Sequence, residues 1–375
     1  MDFSVYFFSA NDRNDFGSRY RFILDVARYI DRRGFTAIWT PERHFQEFGG
    51  SFPNPAVLSA ALAVTTENLR IRAGSVVLPH HHPVRLVEEW SLVDQLSGGR
   101  VGVCLATGWH QGDFVFYPDH YERRRQYTLG HVDTVAALWR GESRAFPGPD
   151  GSTLDVRTYP RPRQAELPLW LVHTSNPHTW TEAGERGLNV LTLLTSWEKL
   201  AEDISRYRAA RERAGHDPAA GTVTVGMHTY VGDDEQAVWD RVREPVKRYL
   251  ASFMTQKRND DQVGGHRRGT DAAEQDRLAE IMAEDYYSRR SLLGTEDKCA
   301  ATVERLRAVG ADEIACLVDF GLPLDDVLAS LPALDALRRR CAAEPAEPAE
   351  PAEPAGPAPD SAPTAATPMS WYYTT

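Results

Sequence analysis

Pro168-Leu-Trp-Leu-Val-His173-Thr174-Ser175-Asn176-Pro177-His-Thr-Trp180-Thr-Glu-Ala-Gly-Glu-Arg-Gly187-Leu-Asn189-Val-Leu-Thr-Leu194 reads as a strand, a polar loop, a helix and a second strand. That is the parallel βαβ unit from which α/β folds are built. Asn176 is a good helix N-cap and Pro177 suits the first helical position. Free N–H groups of the first turn, the hydroxyls of Thr174 and Ser175 and the positive end of the helix dipole would then face one point, which suits the phosphate of a cofactor. An ordinary capped helix reads the same segment equally well.

Outward from this unit, apolar runs with strand character recur at residues 3–8, 37–40, 71–78, 101–105, 169–172, 190–194, 223–231 and 314–318. Segments with one-sided helical spacing lie between them, at 20–33, 55–65, 84–96, 123–139, 178–186, 198–214, 234–253 and 296–309. Eight strands alternating with helices predict an α/β protein of the (β/α)8 barrel type over residues 1–340, in preference to a doubly wound sheet. Residues 141–166, rich in Pro and Gly, and 257–287, polar with a helical second half, are the expected insertions. A Pro/Glu/Ala-rich stretch at 341–368 has the composition of a disordered linker. It leads to an aromatic C-terminal segment, 369–375, containing Trp371, Tyr372 and Tyr373. An inert tail, a docking peptide for a partner and a tethered peptide substrate are all compatible with that segment.

The chain has 375 residues, 42% hydrophobic, with a net charge of −11. The acidic balance and dispersed basic residues argue against nucleic acid as a partner. No run approaches the ~20 apolar residues of a membrane helix, and the N-terminus enters a strand with no charged leader region, so a cytoplasmic location is expected. Cys104, Cys299, Cys316 and Cys341 have neither disulfide nor zinc-knuckle spacing; reduced thiols, the first three packed, are expected.

Barrel active sites form at the carboxyl ends of the strands, and here those ends are polar. They run into Ser9-Ala-Asn11, Glu42-Arg-His44-Phe45, His80-His81-His82, Thr107-Gly108-Trp109-His110, Thr174-Ser175-Asn176, Thr195-Ser196 and Asp319-Phe320-Gly321. Alternation directs His228, inside the seventh strand, toward the barrel interior. Three successive histidines invite a metal reading, but neighbours in an extended segment face opposite sides. At most two could reach one centre, so no metal site is expected. Gly98-Gly-Arg100-Val-Gly102 precedes its strand and is a turn, not a dinucleotide fingerprint.

Several motifs, in order, are similar to those of the bacterial-luciferase-like flavin monooxygenases, in particular the subgroup of polyketide and nonribosomal-peptide biosynthesis. They are Phe35-Thr-Ala-Ile-Trp39-Thr-Pro-Glu42-Arg-His44-Phe45, Ser97-Gly-Gly-Arg100-Val-Gly102-Val, Thr107-Gly-Trp-His110 with Asp113-Phe114, and Asn176-Pro177 with Asn189-Val-Leu-Thr192. Met227-His-Thr-Tyr-Val-Gly232, Leu293-Gly-Thr295 and Asp312-Glu-Ile-Ala-Cys-Leu-Val-Asp-Phe-Gly321 complete the set. The resemblance covers about residues 1–340.

It implies a barrel binding FMN at Ala106, Thr107 and Gly108 and at Thr174, Ser175 and Asn176, with reduced FMN and dioxygen acting through a flavin hydroperoxide. Luciferase proper has an arginine where this chain has Thr107, so hydroxyls, backbone, or Arg123 and Arg124 must serve the phosphate. His44, with His110, is the expected catalytic pair. Phe7, Trp39, Phe45, Trp109, Trp197 and Phe320 are expected walls of a dry pocket, together with His228. The implied partners are a small-molecule, carrier-bound or peptide substrate, a separate flavin reductase and a second copy in a homodimer. A deazaflavin-dependent dehydrogenase on the same barrel, a flavin-binding accessory protein and a metal-dependent hydrolase are the alternatives.

Overall fold

Apolar residues on both faces of a strand call for a sheet covered on one side and filled on the other, and a closed barrel supplies both. The computed structural model describes residues 1–8, 16–46, 49–174, 176–261 and 272–342, with side chains omitted at 253–261, 272–276 and 278. The expectations for 9–11, for Ser175 and for the tail from 343 onward lie outside the described residues.

In chain order the elements are β1 (Asp2–Tyr6), α1 (Phe16–Asp31), β2 (Ala37–Thr40), α2 (Pro55–Thr65), β3 (Arg70–Val77), α3 (Pro83–Ser97), β4 (Val101–Ala106) and α4 (Arg124–Arg140). A hairpin of β5 (Arg144–Pro147) and β6 (Thr153–Val156) follows, then β7 (Leu169–Val172), α5 (His178–Glu185), β8 (Asn189–Leu193) and α6 (Trp197–Arg213). The chain continues through β9 (Val223–Gly232), α7 (Glu235–Asp261), α8 (Ala272–Arg289), β10 (Leu292–Thr295), α9 (Glu296–Ala308), β11 (Glu313–Leu317) and α10 (Leu324–Arg340).

Eight parallel strands close the barrel in the order β1-β2-β3-β4-β7-β8-β9-β11, with β11 returning to β1. Each contains the core of one of the eight apolar runs. β9 is longer than its neighbours: Thr224–His228 pair with β11, and Thr229–Gly232 pair with the additional strand β10. The first expected insertion holds the β5–β6 hairpin, and the second ends in α8.

Alternation along β1 sends Ser4 and Tyr6 into the barrel and Phe3, Val5 and Phe7 against the helices. Phe7 packs edge-on to Phe22 of α1, centroids 5.9 Å apart. Inside, at the amino end, Trp39 crosses Trp170 at 5.3 Å. A Cβ at Gly102 would stand 2.9 Å from that Trp170 ring, so the close approach needs glycine. All four cysteines are buried free thiols, Cys341 included. Among the described residues no helix is long and apolar enough to cross a membrane.

Candidate active site

β2 ends at Thr40 and delivers Glu42, Arg43 and His44, all buried, to the barrel mouth. Glu42 is the hub. Its Oε1 accepts from His44 Nε2 at 3.0 Å and His81 Nε2 at 2.8 Å, while Oε2 accepts the Val77 amide at 2.7 Å. Burial alone would raise the Glu42 pKa, but the His81 charge and these hydrogen bonds hold it at about 2. An ionised carboxylate only accepts, so His44 carries its proton on Nε2. Among the described residues no hydrogen bond engages His44 Nδ1.

After β3 the backbone takes a 3-10 turn at Leu78–His80 behind Pro79. The turn directs the three histidines to three different tasks. His80 is buried, lies 5.6 Å from His44 and 4.7 Å from Phe114 between ring centroids, and has neither ring nitrogen hydrogen-bonded. Burial lowers its pKa to about 4, so it is neutral. His81 opposes burial through Glu42, which raises its pKa. His82 turns outward, where its Nδ1 accepts the Val84 amide at 3.3 Å and caps α3.

β4 ends at Ala106, and the next residues turn back across the mouth. Gly108 has φ +74°, and a side chain there would meet Val77 and Phe114 within 3.1 Å. His110 Nδ1 bonds Asp113 Oδ1 at 3.1 Å, and its Nε2 lies 3.5 Å from Gln46 Nε2 on the β2 side. Burial raises the Asp113 pKa. Arg43 lies over the rings of both Phe8 and Trp109, at 5.2 and 5.3 Å. Phe116 crosses His44 at 4.9 Å and meets Phe45 at 5.5 Å. Phe45 holds φ +55°, unusual for a bulky residue, and is 63% exposed.

On the opposite wall His228 points inward from β9. Its Nδ1 bonds Tyr286 Oη at 2.5 Å, and its ring lies 4.2 Å from Tyr249 and 5.1 Å from Phe320. Burial pushes its pKa down to about 3 and leaves Nε2 without a partner.

Between these walls lies the β7–α5 loop. Asn176 Oδ1 accepts the His178 amide at 3.0 Å and its carbonyl accepts the Thr179 amide at 3.1 Å. Asn176 thus closes a turn ahead of the helix, which begins at His178 with Pro177, not Asn176, at its N-cap. Those two amides are consequently engaged rather than free. Thr174 is exposed. Arg125 of α4 reaches the first turn of α5, where it pairs with Glu182 and lies 3.5 Å from Thr179 Oγ1.

Residues 1–313 match the family model of the luciferase-like monooxygenases. The chain belongs to that family. A relative from Acinetobacter baylyi, the oxygenase component of a flavin-dependent trigonelline monooxygenase, is 26% identical over 328 residues, 82% of this chain and 86% of that one. Three solved structures share the fold. Monooxygenase RslO1 from Streptomyces bottropensis has a TM-score of 0.76 at 21% identity, over 91% of this chain and 99% of its own. The oxygenating constituent of 3,6-diketocamphane monooxygenase from Pseudomonas putida, in complex with FMN, has 0.74 at 17%, over 91% and 98%. An F420-dependent secondary alcohol dehydrogenase, with an F420-acetone adduct, has 0.69 at 17%, also over 91% and 98%.

In this luciferase-like monooxygenase the β2–β4 side of the mouth gathers His44, His110, Phe45 and Trp109, and His228 and Phe320 share the β9–β11 side. Phe7 and Trp39 do not line the mouth. Phe7 lies outside the barrel on α1, and Trp39 fills the amino-end interior, donating its indole N–H to Ser4 Oγ at 2.9 Å. Trp197 starts α6, with its indole N–H on the Arg289 carbonyl and Arg305 stacked 4.2 Å above it. Arg124 bonds the Tyr121 carbonyl at 2.7 Å, and Arg123 is exposed. Thr107 is half-buried, with its hydroxyl 3.5 Å from the Gly108 carbonyl. The sequence reading named His80 only within the His80-His81-His82 run, and missed Glu42 as the hub, Arg125, Tyr249 and Tyr286. Glu42 stood in a quoted motif, whereas Arg125, Tyr249 and Tyr286 lie on helices that only the closed barrel brings to the site.

Proposed function

We propose that this protein is the oxygenase component of a two-component monooxygenase, using FMN reduced by a separate reductase to oxidise a specialised-metabolite, carrier-bound or peptide intermediate. The observation that carries the reading is His44, fixed by an ionised Glu42 at the mouth of a luciferase-like barrel. The FMN bound to one structural neighbour and the oxygenase-component role of the Acinetobacter relative support it. The residues present fit the cofactor: Ala106, Thr107 and Gly108 supply backbone and hydroxyl groups, and Thr174, Ser175 and Asn176 belong to the loop opening α5. Arg125 supplies the positive charge that Thr107 lacks.

Reduced FMN, when bound, supplies oxygen activation. The chain does the rest. Glu42 keeps the His44 proton on Nε2 and fixes the ring plane, leaving Nδ1 as the atom that accepts or returns a proton at the reacting centre. Asp113 orients His110 in the same manner. Buried Tyr249 and Phe320 keep water from the inner wall of the mouth, with Phe45, Phe116 and Trp109 at its rim, which strengthens those polar interactions. His228 and Tyr286 present a neutral hydrogen-bonding pair to substrate. A deazaflavin-dependent dehydrogenase is the second reading, favoured by the F420-dependent neighbour.

Anaerobic titration with reduced FMN and with a reduced deazaflavin, followed by admission of oxygen, separates the two. One reduced FMN per chain with oxygen consumption is expected. Tight deazaflavin binding without oxygen consumption would establish the second reading, and binding of neither would overturn both.

A further inference from the structure

The Glu42 hub has one more property. Glu42 Oε1, a His44 ring nitrogen and a His80 ring nitrogen all lie within 4.8 Å of one another, and all three residues are buried. The His80 nitrogens make no hydrogen bond at all. A buried imidazole with both nitrogens unsatisfied forfeits the hydration it had in the unfolded chain, a cost that calls for a compensating ligand. His80 is neutral, the form in which imidazole offers a lone pair.

We propose that Glu42, His44 and His80 form a binding site for one divalent transition-metal ion. Two imidazoles and a carboxylate are the donor set of borderline ions such as Zn²⁺, Co²⁺ and Fe²⁺, whereas Mg²⁺ and Ca²⁺ prefer oxygen alone. Ligand atoms bonded at ~2.1 Å to one tetrahedral or octahedral ion stand roughly 3.0–3.4 Å apart. The Glu42–His44 edge is already 3.0 Å. The ion would take the place of the proton between those two atoms, and His80 has to close by on the order of 1 Å. The Val77 amide on Oε2 and the His81 ring on Oε1 hold the carboxylate as outer partners commonly hold a metal-ligating one. Three protein ligands leave a coordination position open to water, as in non-structural sites.

The site stands independently of the flavin reading. Its consequence rests on that reading: an ion on His44 removes the ring from proton transfer, so metal occupancy silences oxygenation and the same residues serve as a metal-sensitive switch.

The test uses the full chain, flavin-free and stripped of metal, titrated with Co²⁺. One equivalent should bind with the visible absorption of a four-coordinate ion. Binding should weaken by roughly a hundredfold or more in His80→Ala and in Glu42→Gln, since loss of an outer partner alone costs about 10–100-fold. His80→Gln covers the case in which the alanine variant fails to fold. His131→Ala is the control, because His131 bonds the Tyr127 carbonyl of its own helix α4 and lies outside the Glu42, His44 and His80 cluster. Absence of stoichiometric binding, binding unaffected by His80→Ala, or binding lost only in His131→Ala would each overturn the site. Reduced-FMN affinity measured on the same preparations reports separately on the flavin reading.

Discussion

The barrel holds two buried polar networks, one at each end, and they are finished differently. At the amino end Arg72 Nη1 meets Glu313 Oε2 at 2.6 Å, Ser4 Oγ donates to Glu313 Oε1 at 2.5 Å, and the Trp39 indole N–H reaches both Ser4 Oγ and Glu313 Oε1. Arg72 is also sandwiched between the Trp39 and Trp170 rings, at 4.9 and 4.5 Å. At the carboxyl end Glu42 is equally saturated, yet His80 beside it and His228 on the opposite wall are buried imidazoles with unpartnered nitrogen. Burial lowers the pKa of both. A network whose charges satisfy one another stabilises the fold, even with the Trp170 indole N–H beside it unpartnered, while neutral imidazoles left open at a mouth are available to be completed by something else. The contrast matches the general division of labour in barrels, stability at the amino end and chemistry at the carboxyl end.

Breaking the amino-end network should have the largest effect on stability and little on function. Glu313→Gln leaves the Arg72 guanidinium buried without its counter-charge, at a cost of about 3–5 kcal/mol. Chemical unfolding measures it, and FMN affinity per folded molecule should not change.

The mouth network sharpens the comparison through pH. The Glu42 pKa falls from 4.5 unfolded to about 2 folded. Its contribution, roughly 3 kcal/mol, is therefore complete above about pH 4.5 and lost as the pH drops toward 2. His81 has the opposite sign: its raised pKa contributes stability below about pH 6.5 that disappears as the pH rises through its folded value. Stability from the pair should peak between those limits, and Glu42→Gln should remove both slopes in urea midpoints measured from pH 3 to 8.

The loop opening α5 should respond least. Asn176→Ala with Ser175→Ala removes a turn-closing side chain and a hydroxyl, each worth about 1 kcal/mol, and should weaken FMN binding accordingly with little change elsewhere. Arg125→Met should weaken it further. Flavin affinity unchanged in all three would place the phosphate away from α5.

Much of this organisation was legible in the sequence, for reasons visible in particular residues. The eight barrel strands stood out because burial on both faces makes continuous apolar runs such as Val101–Ala106. β10 did not, since Leu292-Leu-Gly-Thr295 is four residues long and contains a glycine. Phe7 was misplaced although alternation already separated it from Tyr6 and Phe8. Trp39 does face inward, but its indole leans toward Ser4 and Glu313, and strand parity carries no information about depth in the barrel. The divergence of His80, His81 and His82 was anticipated for an extended segment and is produced instead by a turn behind Pro79. That His80 closes on a glutamate from another strand end is a property of the closed barrel alone.

The central claim is that the carboxyl-end network protects and serves a reduced flavin, with His44 as its working imidazole. The most direct measurement follows hydrogen peroxide release after the protein, loaded anaerobically with reduced FMN, is mixed with oxygen and no substrate. The account predicts a release markedly slower than from free reduced FMN, and a return toward the free rate in His44→Ala with FMN affinity intact. Release at the free-flavin rate from the unaltered protein, or identical release from His44→Ala, would contradict it.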